Sequence, residues 1–457
     1  MQHNLHSPVV SFAARVVARL APVLVLLSCA FADAASIGIQ KMDGTGALTW
    51  TNAFPAGVVT VETTGALTGL TNQPWAIGRS YFTSNTTGSV TVPLGASNTF
   101  VKLVSVDIST NTPSHYTNLV NSYGRLETVA GIGTNQGDFS QWRPYFEGAW
   151  ATNVQLSRPH IAFGDSKGNV LIVDQRSSSV LKVTPEGRLF TFAGTHTAGA
   201  NGDTGWATNL HLNNPNSGWM GADDTFYILD TVNGKARKVD TNGWMTTFFT
   251  TAPMGDGRAF WVKSDESLIY FGSGPTEVTN LNMWTPTGGV RVVRSGFGDM
   301  GNILGNETTG DLYISDRNAH RVYRFTPNGG NGVLTPIAGN GTQSNLPGGG
   351  DGGSALLTGL SFPRSVWFLP NGGYFIGEHS PGNRIWYVDP AGIIRLWMNG
   401  SDANHRRVGD GQWFYANPTT PKVSRVRCAN TDPFGNMIIT ESNFGYVRRI
   451  KFQRLIP

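Results

Sequence analysis

The stretch GRLETVAG at residues 124–131 returns almost unchanged as GRLFTFAG at residues 187–194. The second copy ends a long, regular unit, whereas no comparable unit precedes the first copy. In the complete unit, one strand begins near His160, a second ends at Asp174, and two more follow before the octet closes. Pro-x-Gly and Asp/Asn-rich turns separate these strands. The unit therefore predicts four consecutive antiparallel strands.

The same skeleton recurs along the chain. In four of the copies a Gly follows the acid that ends the second strand, 13 or 14 residues later. The interval of 86 residues between two of the acids holds two units of about 43 residues each, a length typical of four-stranded propeller blades. The hidden unit carries Phe271 where the others have an acid. The acids are Asp174, Asp230, Asp316, Glu378 and Glu441.

The sixth unit stops after its third strand, since only residues 453–457 remain. A blade without its outer strand would expose an unpaired edge. The orphan octet at residues 124–131 can supply that strand from the other end of the chain. The sequence therefore predicts an all-β fold: a six-bladed β-propeller over residues 124–457, closed by pairing of N-terminal and C-terminal strands.

The unit LSRPHIAFGDSKGNVLIVD at residues 156–174, followed by VLKVTPEG at residues 180–187, resembles the repeats of NHL-repeat propellers. Long Gly-rich insertions after the AG pairs resemble those of exported bacterial members. The resemblance implies a β-propeller fold. It leaves activity open, since such propellers serve binding, scaffolding and several enzymatic roles.

Residues 1–35 differ from the rest of the chain. An apolar stretch over residues 20–32 follows two arginines and precedes the small-x-small site Ala32-Asp-Ala34, which predicts a cleaved secretory signal. The alternative is a lipobox-like sequence that would leave a lipidated Cys29 at the mature N-terminus. Either interpretation, the cleaved signal or the lipidated Cys29, predicts a secreted, periplasmic or cell-envelope protein.

Short alternating strands over residues 36–105 predict a small β-sandwich-like module. Residues 106–123, rich in Ser, Thr and Asn, are predicted to be a linker too polar to build a core. The formal charge of +4 is small and evenly spread, so nucleic acid is not expected as a partner. We expect a monomer without a transmembrane segment.

Propeller topology brings the starts of the first strands and the ends of the second strands to one face. Counting back from the turn of each unit gives six positions at the tunnel mouth: His160, Asn216, Gly257 with the adjacent Arg258, Asn302, Arg364 and Arg427. The five acids would form a second ring there. One interpretation is structural, with the acids capping the turns after the second strands or pairing with arginines. The other is a cationic funnel of His160 and the arginines for a carboxylate, phosphate or acidic sugar.

These patterns lead to two functional hypotheses. The first is a non-catalytic binding module for an anionic carbohydrate, a peptide or a protein. The second is a metal-assisted lyase or hydrolase with His160, Glu378, His379 and Glu441 as candidate ligands of Zn²⁺, or with Ca²⁺ in the Gly-Asp loops. Tryptophans in the insertions either stack on a sugar or peptide over the mouth or pack the loops onto the blades: Trp142, Trp150, Trp206 and Trp413.

Overall fold

The computed structural model describes residues 14–20, 23–29, 37–65, 75–94, 99–109, 113–133, 142–346, 348–403, 407–442 and 444–454. The predicted cleavage site Ala32-Asp-Ala34 lies outside these residues. Two strands occupy residues 14–20 and 23–29, and the signal and lipidation hypotheses stay predictions.

The N-terminal part contains two β-sheets. Its strands are β1 (Ala14–Leu20), β2 (Val23–Cys29), β3 (Gly38–Met42), β4 (Ala47–Thr51), β5 (Gly57–Thr64), β6 (Ala76–Thr83), β7 (Gly88–Thr91) and β8 (Phe100–Asp107). One sheet has the order β2-β1-β8-β5-β6 and the other β3-β4-β7. Val59 and Leu103 of the larger sheet share a buried cluster with Leu48 and Trp50 of the smaller one. The short strands predicted within residues 36–105 are confirmed, but residues 57–62 of β5 are all buried instead of alternating between buried and exposed.

The segment predicted to be a polar linker contains the helix α1 (Pro113–Asn121). Its Leu119, together with Val120 and Tyr123, joins the same apolar cluster as Phe375 and Trp397 further along the chain. The expectation that this segment is too polar to contribute to a core is therefore wrong. The reason is periodic placement: few apolar side chains suffice when a helix directs them to one face.

The rest of the described chain forms four-stranded antiparallel units. The first strand of this part is β9 (Leu126–Ala130). Sheet 1 contains β10 (Pro159–Gly164), β11 (Val170–Asp174), β12 (Ser179–Val183) and β13 (Leu189–Ala193). Sheet 2 contains β14 (Thr204–Trp206), β15 (Pro215–Met220), β16 (Phe226–Asp230), β17 (Lys235–Val239) and β18 (Trp244–Thr250). Sheet 3 contains β19 (Phe260–Val262), β20 (Ile269–Ser273), β21 (Asn280–Thr285) and β22 (Gly289–Ser295). Sheet 4 contains β23 (Met300–Gly305), β24 (Leu312–Asp316), β25 (Arg321–Thr326) and β26 (Val333–Ala338). Sheet 5 contains β27 (Pro363–Phe368), β28 (Tyr374–Glu378), β29 (Ile385–Val388) and β30 (Ile394–Met398). Sheet 6 contains β31 (Val426–Thr431), β32 (Met437–Glu441) and β33 (Tyr446–Ile450). Short 3₁₀ turns lie at Pro144–Phe146, Ala151–Asn153, Gln175–Ser177 and Ala207–Asn209.

These sheets confirm the predicted all-β chain of four-stranded antiparallel units. The first strand of each contacts that of the next, from β10 through β15, β19, β23 and β27 to β31, and β31 contacts β10 in turn. In sheet 2, β14 adds a fifth strand outside β18, which the repeat did not predict. Among the described residues, no helix is both long and apolar enough to span a membrane.

The orphan octet pairs as predicted. β9 runs antiparallel to β33 and completes sheet 6 in the order β31-β32-β33-β9, with Leu126 opposite Ile450 and Glu127 opposite Arg449. A steric constraint explains why the octet ends in a glycine. Gly131 has φ +103°, and a Cβ there would lie 2.0 Å from the carbonyl oxygen of Gly445, so only glycine lets the strands approach.

Candidate functional site

The five repeated acids hold the backbone that enters the first strand of each sheet. Each carboxylate accepts a hydrogen bond of 2.7–3.0 Å from the N–H of the residue seventeen positions earlier. All five side chains are buried. Glu378 also accepts a 2.6 Å bond from Nε of Arg384, and Nη1 of Arg448 lies 3.5 Å from Glu441. The structural interpretation is confirmed: Asp230 and Asp316 also accept bonds from the following turn, and arginines lie beside Asp230, Glu378 and Glu441. The bond that all five acids share is the one to the entering chain, and none of the five lines the cavity described below.

The first strands carry β-bulges near their starts. In five sheets the pairing between first and second strand skips one residue: His160, Asn216, Gly301, Arg364 and Arg427. In sheet 3, the N–H of Gly272 instead faces the carbonyls of both Arg258 and Ala259, at 2.8 and 2.9 Å. An extra residue in one strand redirects its side chain, and bulges are common beside functional sites for that reason.

These positions converge on one cavity. It is lined by the six predicted polar side chains, which we call the arginine cup: His160, Asn216, Arg258, Asn302, Arg364 and Arg427. All except Arg427, which is half-buried, are more than nine-tenths buried. The volume of about 20 Å³ has room for about one water molecule.

One detail of the predicted positions needs correction. In sheet 4 the bulged residue is Gly301, so the count that gave Asn302 was one residue too far; Asn302 nevertheless lines the cup. A Cβ on Gly301 would lie 2.4 Å from the carbonyl oxygen of Arg364, which explains the glycine. In sheet 3 the counted position is Gly257, and the lining side chain is that of its neighbour Arg258, as the predicted cationic funnel requires.

A buried acid that the sequence reasoning missed organises the arginines. Oδ1 of Asp299 lies 2.9 Å from Nη1 of Arg258, and Oδ2 lies 3.3 Å from Nη1 of Arg317 and 3.5 Å from Nη2 of Arg364. Arg258 also pairs with Asp256. Burial raises the pKa of Asp299, but Arg364 and Arg258 outweigh it, so the net pKa is lowered and the carboxyl is ionised at neutral pH.

The guanidinium groups around the cup outnumber its carboxylates. Burial, followed by repulsion from Arg258, lowers the pKa of Arg364 well below its usual value. Burial, followed by repulsion from Arg364, likewise lowers the pKa of Arg427 well below its usual value. Crowding of buried like charges is unfavourable, and an anion placed between them would relieve it.

His160 adds an acceptor to this cationic site. Burial and then Arg427 lower its pKa well below the usual value, so the ring is neutral at pH 7. Its Nδ1 lies 3.4 Å from the carbonyl oxygen of Asn216. An N–H at Nδ1 donates there, which leaves Nε2 as a hydrogen-bond acceptor.

Several buried polar atoms of the cup have no hydrogen-bond partner in the structure. The unpartnered donors are Nε of Arg258 and both Nε and Nη1 of Arg364, and the unpartnered acceptors are Nε2 of His160 and Oδ1 of Asn216 and Asn302. Buried polar groups in proteins are nearly always paired. This set therefore matches a ligand group that carries negative charge and also has a hydroxyl to donate.

The predicted metal set does not come together. Among the described residues no three His, Cys, Asp or Glu side chains are placed to hold a metal ion. Glu378 and Glu441 are instead engaged by backbone N–H groups in separate sheets. His379 is buried, and both of its ring nitrogens lack a partner.

The insertion tryptophans pack locally. Trp142 stacks on His196 at a centroid distance of 3.8 Å, and Trp206 lies edge-on to Trp244 of β18. Arg188 lies over the ring of Trp150 at 3.9 Å. None of the four predicted tryptophans lines the arginine cup. The packing interpretation is confirmed for Trp142, which packs against a buried cluster, whereas Trp150 and Trp206 contact one neighbouring side chain each and stay about half exposed.

No model of a known protein family matches the chain, and no curated protein is similar to it in sequence. Its fold is similar to that of a protein of unknown function from Bacteroides thetaiotaomicron VPI-5482, with 14% identity, a TM-score of 0.55, and coverage of 89% of this chain and 93% of that protein. An auxiliary nutrient binding protein from the same organism has 12% identity, a TM-score of 0.48 and coverage of 92% and 98%. Virginiamycin B lyase from Staphylococcus aureus has 13% identity, a TM-score of 0.41 and coverage of 67% and 97%. The sheets and this similarity define a β-propeller protein.

Proposed function

We propose that this chain is an exported, non-catalytic binding protein whose arginine cup holds the acidic group of an anionic carbohydrate or of a peptide. The proposal includes a closed ring of six NHL-type blades with the cup at one mouth. The observation that carries it is the set of unpartnered polar atoms on buried cup residues, above all Nε and Nη1 of Arg364.

The balance of donors and acceptors favours an acidic sugar within this class. The unpartnered Nε–H and Nη1–H groups of Arg364 can each donate a charge-assisted hydrogen bond to an acidic oxygen. The neutral His160 ring and the Oδ1 atoms of Asn216 and Asn302 can accept bonds only from a donor, such as a sugar hydroxyl. A peptide carboxylate satisfies the arginines but needs a neighbouring N–H or hydroxyl for these acceptors.

The volume of the cup limits what enters it. A space of about 20 Å³ admits about one oxygen-sized group, so an oxygen of the acidic group would enter and the rest of the ligand would lie above the mouth. The lyase or hydrolase alternative gains no support from the candidate ligands, because His160, Glu378, His379 and Glu441 do not form a metal-binding group.

The test is calorimetric titration with D-glucuronate, D-glucose and a short peptide that ends in a free carboxylate. We expect glucuronate to bind and glucose not to bind. Arg364→Gln should weaken glucuronate at least roughly tenfold, because hydrogen bonds to charged groups contribute about 1.5–3 kcal/mol. The matched control is Arg324→Gln, an exposed arginine on β25.

Two results would contradict the proposal. One is wild-type binding of glucose as tight as that of glucuronate, which would mean that charge plays no part. The other is unchanged glucuronate affinity in Arg364→Gln, which would place the binding elsewhere. Tighter binding of the peptide than of glucuronate would keep the anion site and change its ligand to a peptide.

A further inference from the structure

A second and larger cavity lies at the other end of the first strands. Its volume is about 510 Å³, within the range of small-molecule sites. The strand β10 contributes His160 to the cup and Phe163 to this second cavity; β27 likewise contributes Arg364 and then Trp367. The two cavities are therefore at opposite ends of the same strands.

An aromatic layer separates them. The residues three positions after four of the cup residues are all aromatic: Phe163, Trp219, Trp261 and Trp367. The Trp367 ring lies 6.0 Å from that of Trp219 and 6.1 Å from that of Phe163, and the Trp219 ring lies 6.4 Å from that of Trp261, as centroid distances. These contacts join side chains of sheets 1, 2, 3 and 5. We call the second cavity, with Phe163, Trp219 and Trp367 in its lining, the aromatic basin.

The floor of the basin presents aromatic surface. Trp219 and Trp367 are only partly buried, and both line the cavity. The Nε1–H of Trp367 donates a 2.8 Å bond to Oγ1 of Thr431, which holds the ring in place. A rigid aromatic face at the bottom of a ligand-sized cavity is suited to stacking or to cation–π contact.

The lining of the basin is negatively charged. It includes the carboxyl groups of Asp223, Glu307 and Asp432 against the single lysine Lys263 among its described residues. Nζ of Lys263 is paired with Asp265 outside the lining, which offsets part of its charge. The basin thus has the opposite charge to the arginine cup.

The polar side chains of the lining already have partners. Asp223 accepts bonds from Thr225, and Oε1 of Glu307 accepts a 2.8 Å bond from the N–H of Ser264. Asp432 accepts from the backbone and side chain of Asn436. A sugar needs several directional polar partners, whereas a cation needs only negative potential and π faces. The basin therefore fits a cation better than a carbohydrate.

We propose that the aromatic basin binds an organic ammonium ion, whose cationic head lies on the faces of Trp219 and Trp367 within the field of the three carboxylates. The ligand differs from that of the cup in charge and binds at the other end of the strands. This inference goes beyond the proposed function and does not depend on it.

The test compares choline with 3,3-dimethyl-1-butanol, which has the same shape without the charge. We expect choline to bind the full-length protein in calorimetric titration and the neutral alcohol to bind at least about tenfold more weakly. Trp219→Leu should weaken choline by about tenfold, as should Glu307→Gln through the lost field. Circular dichroism and thermal unfolding show whether each variant is folded.

The matched control is Glu147→Gln. Glu147 is also exposed and accepts bonds from the backbone N–H and the hydroxyl of one residue, Thr191, as Glu307 does from Ser264. It lies outside the basin, so choline affinity should not change. Arg364→Gln should also leave it unchanged, which separates this site from the cup.

The proposal is overturned by any of three results: no saturable binding of choline, equal affinity for the neutral alcohol, or equal loss of affinity in Glu147→Gln and Glu307→Gln. If Trp219→Leu does not fold, the comparison of the two glutamate variants and the two ligands still decides the question. Preferential binding of glucose would also overturn it, in favour of a carbohydrate.

Discussion

A disulfide across the closing strand should stabilise this protein more than the same disulfide inside a continuous sheet. The perturbation is the double variant Glu127→Cys/Arg449→Cys, which joins β9 to β33 at residues that face each other as Cα partners. Neighbouring antiparallel strands bring Cα atoms to the separation a disulfide requires. The control is Lys182→Cys/Phe190→Cys, which joins β12 to β13 at the equivalent positions of the other octet.

The magnitude follows from the lengths of the two loops. Glu127 and Arg449 are 322 positions apart, so the cross-link removes about 5–6 kcal/mol of loop-closure entropy from the unfolded chain. The control closes a loop of only about eight residues, for which the same relation gives about 2.5 kcal/mol. The closing cross-link should therefore add about 3 kcal/mol more to the free energy of unfolding.

The assay is guanidinium unfolding of each variant, oxidised and reduced, so that the substituted side chains cancel within each pair. Cys428 is free and buried, and it stays in both variants. Equal gains from the two cross-links, or a larger gain in the control, would refute the idea that β9 joins two distant parts of the chain. Failure of the closing pair to oxidise in the native protein would refute the pairing itself.

Three further predictions concern buried charges. Arg364→Met should raise the free energy of unfolding of the ligand-free protein by about 1 kcal/mol or more, because it removes one of the crowded charges while Asp299 stays paired with Arg258 and Arg317. Urea unfolding measures this change, and a loss of stability would contradict the crowding. Asp316→Ala should lower the free energy of unfolding by about 2–4 kcal/mol, because the N–H groups of Gly298 and Asp299 lose their 2.9 Å bonds to the carboxylate. Asp316→Asn keeps one acceptor oxygen and should lower it less. Equal losses of stability in thermal unfolding would argue against the clamp. Burial, against the opposing effect of Arg448, raises the pKa of Glu441 from its usual 4.5 to about 7. The folded chain then keeps a proton that the unfolded chain has lost, so the contribution of Glu441 to stability should fall by about 3 kcal/mol between pH 4.5 and 7. The difference in stability between wild type and Glu441→Gln should change by that amount over this range, and identical pH profiles would refute the prediction.

The strand pattern of the propeller was accessible from the sequence because each sheet repeats the same local signals. The acid at the end of the second strand and the turn glycine after the third recur at nearly constant spacing, and even the sheet without the acid was found from its length. β14 was missed because a three-residue strand has no periodicity to recognise. The helix α1 was missed because its polar composition concealed the buried Leu119 and Val120.

The positions of the cup were also predictable, because alignment of the repeat places one residue of each unit at the same level. The pairing with Asp299 was not predicted, since the acid lies outside the strands that were aligned. One signal could have identified it. The residues seventeen positions before the five acids are Ser157, Asn213, Asp299, Ser361 and Ser424, and only one of these is charged.

The β-bulges explain why the cup positions in the first strands can differ from sheet to sheet and so determine which ligand binds. A regular antiparallel pair would tie both faces of the first strand to the packing of neighbouring sheets. The skipped residue is released from that pairing, so its side chain can differ from sheet to sheet without disturbing the ladder. His160, Asn216, Arg364 and Arg427 share one backbone role and have different chemistry. The repeated acids that clamp the same segment are nearly invariant within the chain because their partners are backbone N–H groups. Repetition thus marks the residues that build the fold, and departure from it marks those that can bind a ligand.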